Sequence, residues 1–287
     1  SVSGLCLFGA MEKNRSGNRG KCPYCCRQQF DSCYPFSMKD LRLGEDVRKL
    51  ADAGVASLKI EGRMKSALYV ASVTRYYRQI LDKCSNVRML ECSNRHAVTQ
   101  ADLETVFSRR TTKLYFEGRK QTFEHSEHSE HSNISPIDSE SLGHLGAEIG
   151  VVKRVTKDRE GQSWLRFHTA RGLEKHDGLQ FEAMADGKHV GMGIVEMRQA
   201  ISRRPVFEVN AGVDVEVLLP HGEGSNTEAQ RHREDVSACD LAKILRPGMK
   251  IYCSMSNAVK RMFPTPSFRP SDYEGGTEID VEVGLEK

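Results

Sequence analysis

Apolar positions along the chain follow two successive rhythms. Up to about residue 110 they recur at helical spacing. Val47, Leu50 and Ala51 share one face of a short helix over Glu45–Ala53, with Gly54 at the C′ position that favours a left-handed residue. Val55-Ala56-Ser57-Leu58-Lys59-Ile60 predicts a short strand of the buried, parallel type. Ser66 is placed to N-cap a long helix running to about Asp82. Tyr69, Val73, Tyr76, Tyr77 and Ile80 form its inner stripe, and one-face periodicity marks them as core rather than a base-stacking platform. Thr99 caps a further helix through about Ser108, with Leu103, Val106 and Phe107 inward. From Leu145 the rhythm changes to alternation, clearest in Val213, Val215 and Val217. Turn signals at Asp158–Gly161 and Asp186-Gly187 divide this region into short strands, which predicts a small β-barrel or sandwich. Lys175-His176-Asp177-Gly178 reads as a turn, with His176 a turn residue rather than a catalyst. Leu245–Tyr252 reads as a turn into a strand, and Ser256–Met262 as a short helix.

Helix, strand, loop and helix in succession are a fragment of an α/β fold, because parallel strands need such crossovers. The expected class is therefore α/β plus β: the C-terminal remnant of a (β/α) TIM-like barrel followed by a small β-barrel domain. The expected divisions are a barrel part over 1–92 and a connector over 93–123. A polar linker follows over 124–143, then the β-domain over 144–221. Residues 222–287 are a loop and the start of a further domain. The linker contains three tandem Glu-His-Ser triplets at 124–132, a tract too polar to order itself. Its histidines are a compositional signal rather than a dedicated metal site. The chain opens at Ser1 in mid-motif and stops within an alternating run at 279–283. It reads as a piece of a longer protein, truncated at both ends.

Composition narrows the setting. With 287 residues, 38% hydrophobic and 28% charged, the chain can bury roughly two domains' worth of core. No run approaches the ~20 apolar residues of a membrane span, and no secretory signal is evident. An odd number of cysteines, nine, unevenly placed, fits reduced thiols in the cytoplasm better than a disulfide framework. The net charge of +3 is too small to imply nucleic-acid binding, so any such case rests on local patches. Arg109–Arg119, basic with Tyr115 and Phe116, is one candidate; a connector folding back on the barrel is the plainer reading.

Five cysteines, Cys6, Cys22, Cys25, Cys26 and Cys33, crowd the first 33 residues around a glycine-rich loop. Arg15, Arg19, Lys21 and Arg27 supply positive charge there, and Gly17 and Gly20 allow close backbone approach. Thiolates beside cations and free N–H groups suit an anionic metal–sulfur centre; a metal-free thiol cluster is the bland alternative. Lys59, Glu61, Arg63 and Lys65 fall at the C-terminal end of the predicted strand, where a (β/α) barrel builds its active-site rim. A solvated charged loop is the alternative. No Ser/His/Asp grouping and no HExxH metal motif is found. The β-rich region holds no nucleophile, base and orienter set, so it reads as a binding or positioning module.

Three stretches together carry a resemblance: SVSGLC followed by RSGNRGKCPYCCR, SMKDL at 37–41, and AGVASLKIEGRMKSALYVASVTRYYRQILD at 53–82. Over about its first third the chain closely resembles the peptidase U32 family, the collagenase-like proteins that include bacterial RNA hydroxylation factors. The β-rich remainder resembles the longer members, which act on large-subunit ribosomal RNA. The resemblance implies a barrel carrying a four-cysteine iron–sulfur (4Fe–4S) cluster, for which Cys6, Cys22 and Cys26 match the last three ligands. The first would fall just ahead of Ser1. Cys25 and Cys33 are then bystanders. It also implies hydroxylation of a pyrimidine in RNA with prephenate as co-substrate. A 23S rRNA cytidine is favoured over a tRNA wobble uridine. Prephenate's two carboxylates call for cations, Arg bidentately. Arg15, Arg19, Arg63 and Lys65 are thus the candidate substrate contacts, and Lys59 and Glu61 the candidate catalytic residues. Glu61, the only acid of the motif, can orient Arg63 or accept a proton. Expected partners are ribosomal or transfer RNA and prephenate, with no membrane. Two alternatives stand beside this: a collagenase-like peptidase, and a non-enzymatic RNA- or zinc-binding scaffold using the β-domain.

Overall fold

A computed structural model describes residues 7–31, 33–62, 65–84, 97–113, 116, 136–140, 142–181, 189–220 and 241–264. The N-terminal part contains α1 (Phe8–Lys13), α2 (Val47–Asp52), α3 (Ala67–Cys84) and α4 (Gln100–Val106), with two short strands, β1 (Asp40–Leu41) and β2 (Thr111–Thr112). The helices begin where the sequence places their caps. Ser66 Oγ accepts the Tyr69 N–H at 3.2 Å. Thr99 and Asp102 form a reciprocal capping box: Asp102 Oδ2 accepts the Thr99 N–H at 2.8 Å, and Thr99 Oγ1 accepts the Asp102 N–H at 3.2 Å. Gly54 takes φ +82° after α2, the left-handed conformation that ends a helix.

The inner stripe of α3 is core. Val73, Tyr76 and Ile80 are buried with Val47, Val98 and Leu103, and Tyr69, Tyr77, Leu81 and Phe263 pack around them. Tyr76 is buried in this core, and Tyr69 and Tyr77 are partly buried around it.

The second part is a curled antiparallel sheet of eight strands in the order β7-β6-β12-β3-β4-β11-β8-β9. Its members are β3 (Ala147–Lys157), β4 (Ser163–Thr169), β6 (Gly178–Phe181), β7 (Val190–Gly193), β8 (Met197–Gln199), β9 (Pro205–Val206), β11 (Val213–Leu218) and β12 (Lys250–Met255). A separate antiparallel pair joins β5 (Leu173–Glu174) to β10 (Glu208–Val209). Alternation sets the inner face: Leu165, Phe167, Val215 and Val217 are fully buried, while Arg166, His168 and Asp214 face outward. In the β3–β4 turn, Asp158 Oδ1 accepts the N–H groups of Glu160 and Gln162, and Oδ2 accepts Trp164 Nε1–H at 2.8 Å. β3 bends across β4 at a bulge between Val152 and Arg154. It crosses so closely that a Cβ on Gly150 would lie 2.3 Å from the His168 carbonyl oxygen.

Several expectations change. The barrel remnant is not shown: residues 55–60 form no strand, and Val55, Leu58 and Ile60 are exposed. A strand apolar on both faces needs neighbours along both edges, and among the described residues the parallel pairing is that of β1 with β2. Residues 136–140 of the expected linker are ordered. Ile137 bridges to Met38, the Asp138 N–H donates to the Ser37 carbonyl at 2.7 Å, and Asp138 is buried. The Glu-His-Ser triplets and Asp186-Gly187 lie outside the described residues. Residues 222–287 were to open another domain, yet β12 sits inside the sheet between β6 and β3. It is followed by α6 (Asn257–Met262), the predicted helix, and preceded by α5 (Leu241–Ile244), which no sequence signal announced.

The helical and sheet parts are clamped by polar side chains. Arg171 pairs with Asp102 at 2.6 Å. His144 accepts the Ser108 N–H through Nδ1 at 2.8 Å, its Nε2 stands 2.8 Å from the Ser254 carbonyl, and its ring stacks on Phe107. No helix among the described residues is long and apolar enough to cross a membrane.

Candidate functional site: the cysteine loop and the cationic contacts beside it

The cysteine loop is a succession of tight turns. Asn14 ends α1 in the left-handed conformation, a one-turn 3-10 helix covers Gly17–Arg19, and Gly20 closes it. The chain then reaches Cys22, Pro23 and the left-handed Tyr24 before a second 3-10 turn, Cys25–Arg27. Helix α1 lies flat on this loop because residue 9 is glycine: a Cβ there would meet Pro23 Cδ at 2.7 Å. Phe36 anchors both flanks, edge-to-face with Phe8 at 5.1 Å and with Phe30 at 5.7 Å.

The turn at Pro23-Tyr24 sorts the thiols. Cys25 is buried, Cys26 is exposed and Cys22 is half-buried. All three border one small cavity of about 20 Å³, closed by Phe8, Gly9, Gly17 and Pro23. Cys22 Sγ accepts the Tyr24 N–H at 3.4 Å. Cys33 stands apart, its thiol donating to the Phe30 carbonyl at 3.1 Å. Cys6 lies outside the described residues. Among the described residues no three Cys, His, Asp or Glu side chains gather as a metal site. The donor chemistry nonetheless fits a metal–sulfur group. Cys22 and Cys26 edge the same space, a backbone N–H serves Cys22, and Arg15, Arg19 and Lys21 are exposed along the loop. A space of about 20 Å³ is the size of one water, so such a group would sit on the open side of the thiols. Cys25, set aside as a bystander on sequence grounds, shares that wall.

The second motif is divided by the structure. Lys59 and Glu61 pair with each other at 3.0 Å in open solvent, the lysine side chain 85% exposed. With no strand at 55–60 they do not stand on a barrel rim, and as placed they form a weak, screened surface pair. Arg63 lies outside the described residues. Lys65 is held differently. Its Nζ lies 3.0 Å from the centre of the Phe107 ring and 5.8 Å from that of Tyr69. Its pKa is lowered, first by desolvation and further by the charges of Arg27 and Arg109, while Asp40 opposes the shift. Arg27 directly follows Cys26 in the chain, so the cysteine loop and Lys65 share one electrostatic neighbourhood.

Sequence reasoning missed Arg109. It is buried and donates to Ser37 Oγ at 3.1 Å, to the Met38 carbonyl at 2.9 Å and to Asp40 at 3.3 Å. It therefore fixes the SMKDL segment instead of meeting an outside ligand. Phe107 was expected to face inward; it is half-buried and serves as a platform for Lys65.

Comparison with known proteins agrees with these motifs. Residues 1–126 match the profile of Peptidase family U32. The chain is 30% identical over 174 residues to the 23S rRNA 5-hydroxycytidine C2501 synthase of Escherichia coli strain K12, covering 55% of this chain and 24% of that protein. It is 34% identical over 136 residues to tRNA hydroxylation protein P1 of Bacillus subtilis strain 168, covering 41% and 32%. It is 33% identical over 132 residues to a collagenase of Porphyromonas gingivalis, covering 42% and 36%. The chain thus spans 24% to 36% of the length of these relatives. A solved C-terminal domain assigned to a U32 peptidase of Geobacillus thermoleovorans aligns over 39% of this chain and 98% of its own, with 12% identity and a TM-score of 0.24, a likeness too slight to argue from. Residues 1–126, which carry the cysteine loop, SMKDL and the Lys59–Lys65 motif, are thus similar to peptidase family U32.

Proposed function

We propose that this chain is part of a cluster-dependent RNA hydroxylase that modifies a pyrimidine with prephenate as co-substrate. A cytidine of large-subunit ribosomal RNA is favoured over a transfer-RNA uridine. The observation that carries the reading is the convergence of Cys22 and Cys26 on one cavity, under a cationic loop whose Arg27 acts on Lys65. The ribosomal preference is supported by the extent of the likeness. The relative named for 23S rRNA aligns with 55% of the chain, more than residues 1–126 make up, so it continues into the β-rich part. The relative named for tRNA hydroxylation aligns with 41%.

In this reading Cys22 and Cys26, with Cys6, hold an iron–sulfur cluster, which when bound supplies one-electron chemistry. The protein's own residues do the rest. Arg15 and Arg19, exposed beside Cys22, bind carboxylate or phosphate oxygens, and Arg63 adds a planar fork of the same kind. Lys65, fixed against Phe107, presents one ammonium at a set position. Glu61, paired with Lys59 on an exposed segment, is assigned as the proton acceptor.

The full-length protein purified without oxygen should be brown and contain iron, and Cys22→Ser or Cys26→Ser should remove both colour and iron. RNA from cells lacking the gene should lack one hydroxylated pyrimidine by mass spectrometry. A colourless, iron-free parent would sink the cluster, and an unchanged RNA profile would sink the hydroxylase.

A further inference from the structure

The β-rich part carries an open cleft of about 450 Å³, far from the cysteine loop in sequence and lined by Lys175, His176, Phe207, Asn257, Lys260 and Arg261, with Pro264 at its end. The lining holds three permanent cations, an imidazole, an amide and an exposed aromatic ring, and no carboxylate. The nearby acids are placed behind it. Glu174 is buried and takes both Arg261 nitrogens, at 2.8 and 2.7 Å. Asp177 is buried and accepts the N–H groups of Asn257 at 2.7 Å and Glu174 at 3.0 Å. Glu208, beside Phe207, is the exposed acid whose charge also reaches Arg261.

This wall is rigid. The Lys175 N–H donates to the Phe207 carbonyl at 2.8 Å, and the His176 N–H donates to Ile194 at 2.7 Å from a left-handed backbone of φ +73°. The guanidinium of Arg261, though pinned by Glu174, keeps 64% of its side chain exposed, and Phe207 is 59% exposed. A fixed guanidinium plane and an open aromatic face, with lysines at either side, match a chain of stacked bases and phosphates. An acidic peptide would use the cations and leave Phe207 without a partner.

We infer that this cleft is a single-stranded RNA subsite, in which Phe207 and Arg261 stack on unpaired bases and Lys175 and Lys260 meet phosphates. The inference rests on the reading of RNA as the partner and extends it to a surface remote in sequence from the chemistry. Its part would be to hold an unpaired strand while a neighbouring base is modified.

Fluorescence anisotropy of the 287-residue chain with a labelled oligocytidine of about ten nucleotides tests it without any turnover. Lys175→Glu combined with Lys260→Glu should weaken binding at least tenfold and flatten the slope of log K against log salt by about 1.4, two single-strand phosphate contacts' worth. Phe207→Ala should weaken binding by about tenfold with the slope unchanged. Glu208→Gln should tighten it. Unaltered unfolding midpoints would confirm that each variant folds. Binding within twofold of the parent for both the lysine pair and Phe207→Ala overturns the subsite. Equal competition by polyglutamate, with Phe207→Ala silent, overturns it in favour of a general polyanion surface. Because binding is read separately from RNA modification in cells, loss of the hydroxylase reading and loss of the subsite are distinct results.

Discussion

Asp102 is the residue whose removal should be felt in both halves of the molecule. It caps α4 through Oδ2 and anchors Arg171, from the turn after β4, through Oδ1. Both partners are largely withdrawn from solvent, at 10% and 17% side-chain exposure. Loss of the cap costs about 1 kcal/mol. Loss of a hydrogen bond between charged groups, leaving Arg171 half-buried without its anion, adds about 2 kcal/mol. Asp102→Ala should therefore destabilise by about 3 kcal/mol, which for a protein of this size lowers Tm by about 6–12 °C. Asp102→Asn keeps the cap and loses only the charge, so it should cost about half as much. Urea unfolding followed together by Trp164 fluorescence, a sheet probe, and by helical circular dichroism checks the clamp, since both signals should shift equally. A double-mutant cycle with Arg171→Ala should return a coupling of about 1–2 kcal/mol. Coupling near zero, or a cost for Asp102→Ala no larger than that of Thr99→Ala, would refute the clamp.

Three further outcomes follow from residues in the sheet. Asp214 accepts hydrogen bonds from Lys153, His168 and Arg166, which hold its pKa down at about 2 against burial. Its contribution is thus complete above the unfolded value of 3.8 and is lost as pH falls through about 2. Asp214→Asn should flatten acid unfolding in that window at a cost of about 1 kcal/mol or less, because Lys153 and His168 are half in solvent. Burial first, and the charge of Asp177 second, push the Cys253 thiol up to about 12. At pH 8 iodoacetamide should label exposed Cys26 and spare Cys253 in the native protein, and peptide mass mapping should find Cys253 modified only after denaturation. Gly150→Ala should destabilise by about 3 kcal/mol or more because its Cβ collides with the His168 carbonyl. Gly193→Ala, which meets nothing within 4 Å, is the matched control in the same urea titration.

The site was legible in part. Density marked five thiols beside arginines, and the resemblance to the U32 family singled out Cys22 and Cys26 among them. Lys65 was picked out from its motif, but its seat on Phe107 was not, since that ring lies more than forty residues further along the chain. Arg109 read only as the start of a basic connector, and its partners Ser37 and Met38, some seventy residues earlier in the chain, make it the buried fastener of SMKDL. The cleft around Phe207 left no motif at all, because its wall is drawn from three separate stretches, near 175, 207 and 260.

Local physics determined what the sequence alone could determine. The Ser66 and Thr99 caps, the left-handed glycine after α2, the inner stripe of α3 and the alternation of β11 each arise within a few residues, so they read off directly. The tertiary structure decided which strands are neighbours. It placed β12 between β6 and β3 and left residues 55–60 without a ladder. An apolar run states only that it must be buried; what buries it depends on edges and faces contributed from far along the chain, and those are chosen when the sheet closes on its core.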